Sequence, residues 1–298
     1  MKILITGATG YIGANLARAL CNDNKVAVIT RPTSSLDLIE DIKPQLETFV
    51  YDGKVDSLIR CMKDFQPEVV CHLASCFIAE HKSDQITQLV QSNILFGTHF
   101  LEAMSITNVK NFINTGTFWQ HYNNDEYNPV CLYAATKKAF EDIAKFYYEK
   151  DSISCINLIL FDTYGPNDPR KKLFYLLKNT INATTPLKMS QGEQELDIVY
   201  IDDVIAAYKV AIERIMNAEQ PIFEIFSVNQ DNPMQLKQIV ELYEKVTATT
   251  LPIQWGARPY RKREVMKLWD RGNKLPGWQA KVSLEDGMKI ITENTKIT

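Results

Sequence analysis

A glycine-rich turn follows the first apolar strand of the chain, within its first thirteen residues. Ile3 to Thr6 form a short β-rich run, residues 7–13 read GATGYIG, and a helical pattern begins at once. Between a strand and a helix, such glycines permit a tight bend, let the backbone approach a pyrophosphate and allow the two elements to pack closely. The pattern therefore predicts a dinucleotide site, and a tight turn without a ligand is the alternative. The candidate cofactor contacts in this turn are Gly7, Thr9, Gly10, Tyr11 and Ile12.

Further apolar runs alternate with helical patterns through the first half of the chain. The strand-like runs are Ile3 to Thr6, Val26 to Thr30, Thr48 to Tyr51, Val69 to Ala74, Asn111 to Asn114 and Ser154 to Leu160. Continuous apolar runs of this length are typical of buried parallel strands. Since the order is βαβαβ from the start, the sequence predicts an α/β fold with a Rossmann-type doubly wound parallel sheet. Ligands of such a sheet bind beyond the carboxyl ends of its strands.

The alternation breaks at the sequence Tyr-Gly-Pro of residues 164–166. The later segments mix helices with short strands and are punctuated by Pro and Gly. We therefore expect an NADP-binding Rossmann domain over residues 1–164 and a smaller C-terminal substrate-binding lobe over residues 165–298. Two later apolar strands predict that about residues 196–228 return to the first domain.

Composition excludes several classes of partner. The formal net charge of -3 gives no broad basic field for nucleic acid or anionic lipid. No apolar run approaches the roughly 18 residues of a membrane span, and the first residues show no basic leader. The six cysteines form no Cys-x-x-Cys pair, which favours a reducing, cytoplasmic location and predicts no metal site.

The residue at the end of the second strand bears on the choice of dinucleotide. Sites for NAD usually carry an acidic residue there, which accepts hydrogen bonds from the ribose 2′-hydroxyl. Here the strand is followed by Arg31, whose guanidinium suits a 2′-phosphate, with Ser34 as a further donor. NADP(H) is therefore expected, with NAD(H) possible and an exposed loop arginine as the alternative. Asp52 and Gly53, after the third strand, are candidates for the adenine amino group or for a plain turn.

Tyr133 and Lys137 form a candidate catalytic pair. They stand at i and i+4 in a long helical pattern, so both project from one face. A lysine ammonium lowers the pKa of a neighbouring phenol and makes it a usable proton donor or acceptor. Thr117, at the end of the preceding strand, could bind the substrate oxygen that Tyr133 serves. Without the glycine turn, a solvated helix face would be the better interpretation of this pair.

Together these motifs resemble an extended short-chain dehydrogenase/reductase of the nucleotide-sugar epimerase, dehydratase and ketoreductase group. The resemblance covers nearly the full length and includes VVCHLAS at 69–75, YGP at 164–166 and VYIDDV at 199–204. It implies that Thr117 and Tyr133 contact the sugar and that Lys137 also holds the nicotinamide ribose. It further implies that Asn93 orders the active-site helix and that the chain forms a homodimer through the helices near Asn93 and Tyr133. Leu73, Ala74 and Ser75 would lie beside the cofactor.

The residues after Thr117 distinguish among the reactions of this group. In its 4,6-dehydratases the threonine is followed by Asp and Glu, whereas here Phe118 and Trp119 follow. Neither ring transfers protons at neutral pH, so dehydration lacks its acid and base. Both aromatic residues suit the apolar face of a deoxygenated hexose, with ordinary core packing as the alternative.

The expected preference for NADP(H) favours a reductase, because reductases of this group consume NADPH whereas its epimerases retain bound NAD. The chain resembles the reductases that finish CDP-linked 3,6-dideoxyhexoses. That resemblance places Arg261 on a nucleotide phosphate, with a solvated basic loop as the alternative. Relatives usually carry an arginine where this chain has Leu196, so more of the phosphate binding would rest on Arg261. Relatives also usually carry an asparagine before Tyr-Gly-Pro, where this chain has Asp162 and Thr163.

The sequence thus predicts NADPH-dependent reduction of the C4 ketone of a nucleotide-linked, CDP-type 4-keto-deoxyhexose. The product would be a deoxyhexose or dideoxyhexose for surface polysaccharide (O-antigen) synthesis. A nucleotide-sugar epimerase with bound NAD is the nearest alternative. A protein that senses NADP without catalysis is a more distant one.

Overall fold

The computed structural model describes residues 1–181 and 183–293, in which strands and helices alternate. The strands are β1 (Lys2–Thr6), β2 (Lys25–Thr30), β3 (Leu46–Val50), β4 (Val69–His72), β5 (Asn111–Thr117), β6 (Ser154–Leu160), β7 (Asp162–Tyr164), β8 (Leu187–Lys188), β9 (Glu195–Leu196), β10 (Ile198–Tyr200), β11 (Phe223–Val228), β12 (Met234–Gln235) and β13 (Ile253–Gln254). The helices are α1 (Tyr11–Leu20), α2 (Val55–Phe65), α3 (Ile86–Val90), α4 (Phe96–Thr107), α5 (Leu132–Asp151), α6 (Leu173–Thr180), α7 (Ile201–Met216), α8 (Leu236–Thr247) and α9 (Leu284–Glu293).

Seven of these strands form one parallel sheet in the order β11-β6-β5-β4-β1-β2-β3. The chain order reverses between β1 and β4, and a crevice opens at such a point beyond the carboxyl ends of the strands. The predicted doubly wound Rossmann-type sheet is therefore confirmed. The glycine turn follows β1, so it lies at this crevice.

The strands that were expected to be buried differ in their exposure. In β1, Ile3 and Ile5 join the apolar core on one face of the sheet, and Leu4 joins the core on the other, as alternation along a strand requires. The last of the first three strands, β3, has only one strand neighbour and is partly exposed along its length. Position at the sheet edge, rather than residue type, accounts for this difference.

The later part of the chain contributes one strand to the main sheet and several small sheets. β11 pairs with β6 in register from Phe223 opposite Cys155. Short pairs form between β7 and β10, β9 and β12, and β8 and β13. The boundary between residues 164 and 165 and the extent of the return stay predictions.

Two further observations concern the environment of the chain. Within residues 1–181 and 183–293, every helix is too short or too polar to cross a membrane. All six cysteines are free thiols. The cytoplasmic location stays a prediction.

A buried aspartate fastens the last segment of the described chain to α7. The Asp203 carboxylate accepts hydrogen bonds from the backbone N–H groups of Lys281 (3.0 Å) and Val282 (2.9 Å). The Trp278 indole N–H donates to the Asp203 carbonyl oxygen at 2.9 Å. Without this carboxylate, two backbone N–H groups would lose their acceptor.

We expect Asp203→Ala to lower the free energy of unfolding by roughly 1–3 kcal/mol, the cost of leaving buried polar groups unpaired. Asp202→Ala is the matched control, since Asp202 lies in the same first helical turn of α7 but is exposed. Both variants lose the same charge at the helix N-terminus. Urea unfolding of the two variants measures the difference, and equal losses would contradict the role given to Asp203.

Candidate active site

The glycine turn after β1 is shaped by backbone contacts. Gly7 has a φ of +76°, and a Cβ atom there would lie 2.6 Å from the backbone nitrogen of Ala74. A Cβ atom on Gly13 would lie 2.2 Å from the Gly7 carbonyl oxygen. Both spaces exclude a side chain, so the backbone at the start of α1 stays close to the ends of β1 and β4. The turn therefore fits the pyrophosphate of a dinucleotide, whose charge the start of a helix favours.

A buried pair joins the ends of β1 and β4 beside this turn. The Thr6 hydroxyl is hydrogen-bonded to His72 Nδ1 at 2.9 Å and accepts the N–H of Ala74 at 3.2 Å. Burial, together with the Lys137 ammonium, lowers the pKa of His72 to about 3, so its ring is neutral. These contacts place residues 73–75 beside the turn, where they were predicted to pass the cofactor. Sequence reasoning assigned no role to Thr6 or His72, although both lie inside the motifs that it used.

The predicted adenosine contacts lie on two neighbouring loops. Arg31 is exposed after β2, and its backbone N–H donates to the Ser34 hydroxyl at 3.0 Å. Asp52 accepts the N–H of Lys54 at 3.0 Å and lies 3.9 Å from the Arg60 guanidinium. The hydrogen bond from Lys54 holds the pKa of Asp52 below its ordinary value. Asp52 is thus part of a turn that starts α2, and its contact with adenine, like that of Gly53, stays a prediction.

The candidate catalytic pair lies in the first turns of α5. Tyr133 and Lys137 are 9% and 2% exposed. Burial raises the pKa of the Tyr133 phenol above its ordinary value, and the neighbouring Ser75 and Thr117 hydroxyls oppose that rise. In the free protein the phenol therefore carries its proton. A protonated phenol between two hydroxyl groups is equipped to donate a proton to a substrate oxygen.

The Lys137 ammonium lies one helical turn below the phenol. Burial lowers its pKa to about 8, and the nearby Glu141 carboxylate opposes this effect. Since Glu141 is 5% exposed and lies one turn further along α5, its charge is poorly screened. Glu141 thus helps to keep the Lys137 cation in the interior.

Glu141 is also connected to the strand that carries Thr117. The Thr117 N–H donates to Gln120 Oε1 at 3.1 Å, and Gln120 Nε2 donates to Glu141 at 3.3 Å. Lys138 donates to the other Glu141 oxygen at 2.8 Å. This chain of contacts fixes Thr117 relative to α5. Sequence reasoning missed Gln120 and Glu141, although Glu141 stands at i+4 from Lys137 and its position was a usable signal.

Asn93 links the loop after β4 to α5. It lies in a wide helical turn, Gln91–Leu95, between α3 and α4. Its side chain accepts the N–H of Cys76 at 2.6 Å and donates to the Cys76 carbonyl and to the Thr136 hydroxyl, both at 3.0 Å. Thr136 in turn donates to the Tyr133 carbonyl at 2.7 Å. These contacts support the predicted role of Asn93 in ordering the active-site helix.

The two aromatic residues after Thr117 point in different directions. Phe118 is 6% exposed and stacks on Phe161 with ring centroids 4.8 Å apart. This is the core packing given above as its alternative, and a sugar contact by Phe118 stays a prediction. Trp119 is partly exposed and lies under the Arg261 guanidinium, 5.0 Å from its ring centroid. Two predicted substrate residues that are far apart in sequence therefore meet.

Charged groups surround Arg261. It forms a two-pronged hydrogen bond to Glu264 at 2.9 and 2.6 Å, which raises the pKa of the guanidinium, and Glu80 and Asp162 contribute in the same direction. Asp162 pairs with Lys172 at 3.2 Å. Arg261 thus keeps its charge at the mouth of the site.

The comparison with known families follows this geometry. A model described as the NAD dependent epimerase/dehydratase family matches residues 3–226. The chain belongs to this family. Membership confirms the predicted resemblance and the prediction of an enzyme with NAD-dependent oxidoreductase chemistry.

Two curated relatives are similar over almost their whole length. The CDP-abequose synthase of Salmonella muenchen is 29% identical over 297 residues, which cover 97% of this chain and 96% of the relative. The CDP-abequose synthase of Yersinia pseudotuberculosis is 30% identical over 273 residues, which cover 89% and 91%. Both similarities indicate an enzyme that modifies nucleotide sugars.

Solved structures share the fold. The UDP-glucuronic acid 4-epimerase of Bacillus cereus, in complex with UDP-glucuronic acid and NAD, matches with a TM-score of 0.85 at 24% identity, covering 100% of this chain and 99% of that chain. The UDP-glucose 4-epimerase of Thermus thermophilus, in complex with NAD, matches with a TM-score of 0.82 at 18% identity, covering 99% of each chain. At these identities the likeness establishes the fold of the chain.

Burial of Lys137 predicts a measurable cost in stability. Its pKa falls from 10.5 in an unperturbed lysine to about 8 in the folded protein, which corresponds to about 3 kcal/mol. The unfolded chain binds the extra proton between these values, so the cost is complete below pH 8 and vanishes as pH rises past 10.5. We expect Lys137→Met to raise the free energy of unfolding at pH 7 by up to about 3 kcal/mol in the cofactor-free protein.

Urea unfolding at pH 7, 9 and 10.5 measures this gain, which should shrink as the pH rises. Lys138→Met is the control, because Lys138 is on the same helix but pairs with Glu141 and Asp142 at 2.8 Å. A gain that is constant over this pH range would show that burial of the charge is not its cause.

Proposed function

We propose that this protein reduces the C4 ketone of a nucleotide-linked 4-keto-deoxyhexose, with NADPH as the reductant. The observation that carries the proposal is the buried Tyr133 phenol, which keeps its proton and has the Ser75 and Thr117 hydroxyls as neighbours. Reduction of a ketone needs one proton donor at the carbonyl oxygen. Dehydration would need a further acid and base, and the residues after Thr117 are Phe118 and Trp119.

The residues act on the substrate oxygen in a simple order. Thr117 and Tyr133 bind the C4 oxygen and polarise the carbonyl, and Tyr133 transfers its proton to that oxygen as the alcohol forms. When bound, NADPH supplies the hydride that C4 receives. Lys137 holds the nicotinamide ribose and stabilises the phenolate left on Tyr133, because its ammonium lies one helical turn away. Solvent then returns the proton to Tyr133.

The preference for NADPH rests on Arg31. The exposed guanidinium at the carboxyl end of β2 provides a cation and a planar donor set for a 2′-phosphate, and Ser34 is held beside it. An arginine cannot accept the hydrogen bond from the ribose 2′-hydroxyl that an acidic residue accepts in NAD sites. The glycine turn would hold the pyrophosphate of either dinucleotide.

The nucleotide-diphosphate end of the substrate is assigned to Arg261, whose charge is kept at the mouth of the site. The similarity to two CDP-abequose synthases supports a CDP-linked sugar. We propose that the product serves surface polysaccharide synthesis. We also propose a homodimer packed through the helices near Asn93 and Tyr133. On this helical run Ile86, Val90 and Leu95 are apolar and exposed, which supports a covered face.

A nucleotide-sugar 4-epimerase is the second candidate, since the family contains such enzymes and the Tyr133–Lys137 pair would serve them equally. An epimerase returns its hydride to the sugar, so it would retain bound NAD and turn over without added cofactor. A reductase would consume one NADPH for each ketone.

The deciding experiment follows NADPH oxidation with CDP-, dTDP-, GDP- and UDP-linked 4-keto-6-deoxyhexoses and identifies the products. Stoichiometric oxidation with at least one ketone is expected. Nicotinamide absorbance in the purified protein, with interconversion of a nucleotide sugar and no net oxidation, would support the epimerase. Binding of NADP without turnover of any sugar would indicate a sensor.

Tyr133→Phe removes only the proton donor. We expect kcat to fall by on the order of 10²–10⁴-fold, while the Kd for NADPH is unchanged. Tyr147→Phe is the matched control, because it removes a phenolic hydroxyl from the same helix, where that hydroxyl donates to Glu102 at 2.7 Å. Undiminished reduction by Tyr133→Phe would overturn the mechanism.

Arg31→Asp should move the preference from NADPH towards NADH. The carboxylate repels a 2′-phosphate and accepts hydrogen bonds from a 2′-hydroxyl. We expect the ratio of kcat/KM for NADPH over NADH to fall by on the order of tenfold or more, the loss of a charge-assisted contact. Lys63→Asp, at an exposed position further along helix α2, is the control. An unchanged ratio in Arg31→Asp would remove Arg31 from the cofactor site.

A further inference from the structure

An exposed aromatic ring lies directly beside the candidate catalytic phenol. Phe77, in the loop after β4, is 55% exposed. Its ring meets Tyr133 edge to face, with centroids 5.0 Å apart at 81°, and lies 5.4 Å from the Trp119 ring at 57°. A large apolar side chain that is left in water at a catalytic group gains free energy when a ligand covers it.

The loop holds this ring in a fixed place. Asn93 binds both backbone groups of Cys76, the residue just before Phe77 in the chain. Since Asn93 is itself buried and bound to Thr136 on α5, the Phe77 backbone is anchored to the helix that carries Tyr133. The ring position is therefore a property of the site rather than of a loose loop.

Trp119 continues the same surface towards the charged mouth of the site. The Arg261 guanidinium lies 5.0 Å from its ring centroid and is held by Glu264. A line of contacts thus runs from Arg261 through Trp119 and Phe77 to Tyr133. Its order matches a sugar nucleotide, with phosphate at the cation, sugar carbons at the rings and the ketone at the phenol.

We propose that Phe77, together with Trp119, forms an apolar subsite for the sugar carbon next to the ketone and selects substrates without a hydroxyl at C3. The inference rests on the proposed function, which puts the C4 oxygen on Tyr133. The neighbours of C4 in a hexopyranose ring are C3 and C5, and of these C3 is the one that bears a hydroxyl in ordinary hexoses. A C3 hydroxyl pressed against two rings loses its hydrogen bonds to water without replacement.

The subsite is tested by comparing two substrates that carry the same nucleotide, a 4-keto-6-deoxyhexose and a 4-keto-3,6-dideoxyhexose. We expect the unaltered protein to prefer the 3-deoxy sugar by roughly 10–100-fold in kcat/KM, the range over which an apolar pocket discriminates against an added hydroxyl. Phe77→Ala should reduce this ratio by on the order of tenfold, chiefly through a higher KM for the 3-deoxy sugar. Phe77→Gln, which offers the C3 hydroxyl a partner, should reduce it further.

Ile106→Ala is the matched control. Ile106 is 54% exposed near the end of α4, which leads into the amino end of β5 and so lies away from the site. Its substitution should leave the ratio unchanged, and unfolding midpoints show whether each variant retains its fold. If Phe77→Ala is unstable, the ratio measured with Phe77→Gln decides.

The outcomes separate the two proposals. If the unaltered protein reduces both sugars and the ratio is the same in the Phe77 variants, the subsite is wrong and the reductase stands. If it reduces neither sugar with any nucleotide, the reductase is wrong and the subsite falls with it. A lower ratio in both Phe77 variants, with Ile106→Ala unchanged, supports the subsite.

Discussion

The site depends on the close approach of two backbones where β1 and β4 end. A Cβ atom on Gly7 would meet the Ala74 backbone at 2.6 Å, and one on Gly13 would meet the Gly7 carbonyl at 2.2 Å. Because these are contacts with backbone atoms, no side chain can move to relieve them. The contact sets where the loop after β4 begins, and Asn93 fixes that loop again at Cys76. The glycine turn and the Phe77 ring are thus positioned by the same contact between the ends of two neighbouring parallel strands.

Helix α5 carries a buried lysine, Lys137, that lowers the stability of the free protein and that we propose takes part in the reaction. Lys137 is buried at a cost that the free protein does not recover, since its pKa of about 8 reflects the loss of hydration. Glu141 reduces that cost and also holds Gln120, which binds the backbone of Thr117. One carboxylate therefore stabilises the lysine charge and connects the helix to the strand that carries the threonine. Departures from maximal stability are expected where a group must be held ready for reaction.

The fold does not identify which reaction the protein catalyses, and particular side chains reduce the number of candidate reactions. The same sheet and the same tyrosine–lysine pair serve epimerases, dehydratases and reductases, so the argument has to come from the site. Phe118 and Trp119 follow Thr117, Arg31 follows β2, and Arg261 lies over the Trp119 ring. The proposal of a consumed reductant and a deoxygenated sugar rests on these positions.

Much of this protein was determined by local sequence. Some features depend only on residues close together in the chain, so a pattern of residues is enough to predict them. These are the alternation of strands and helices, the glycine spacing after β1, and the i, i+4 spacing of Tyr133 and Lys137. Four features were not predictable in this way. They are the exposed edge position of β3, the burial of Phe118 against Phe161, the link from Thr117 through Gln120 to Glu141, and the ring of Phe77 beside Tyr133. Each depends on which distant segments pack together, and spacing along one segment carries no information about its neighbours. The sequence by itself determined the fold and is the basis for proposing the cofactor turn and the proton donor. The tertiary structure decided what surrounds Tyr133, because those contacts join residues from separate strands and loops.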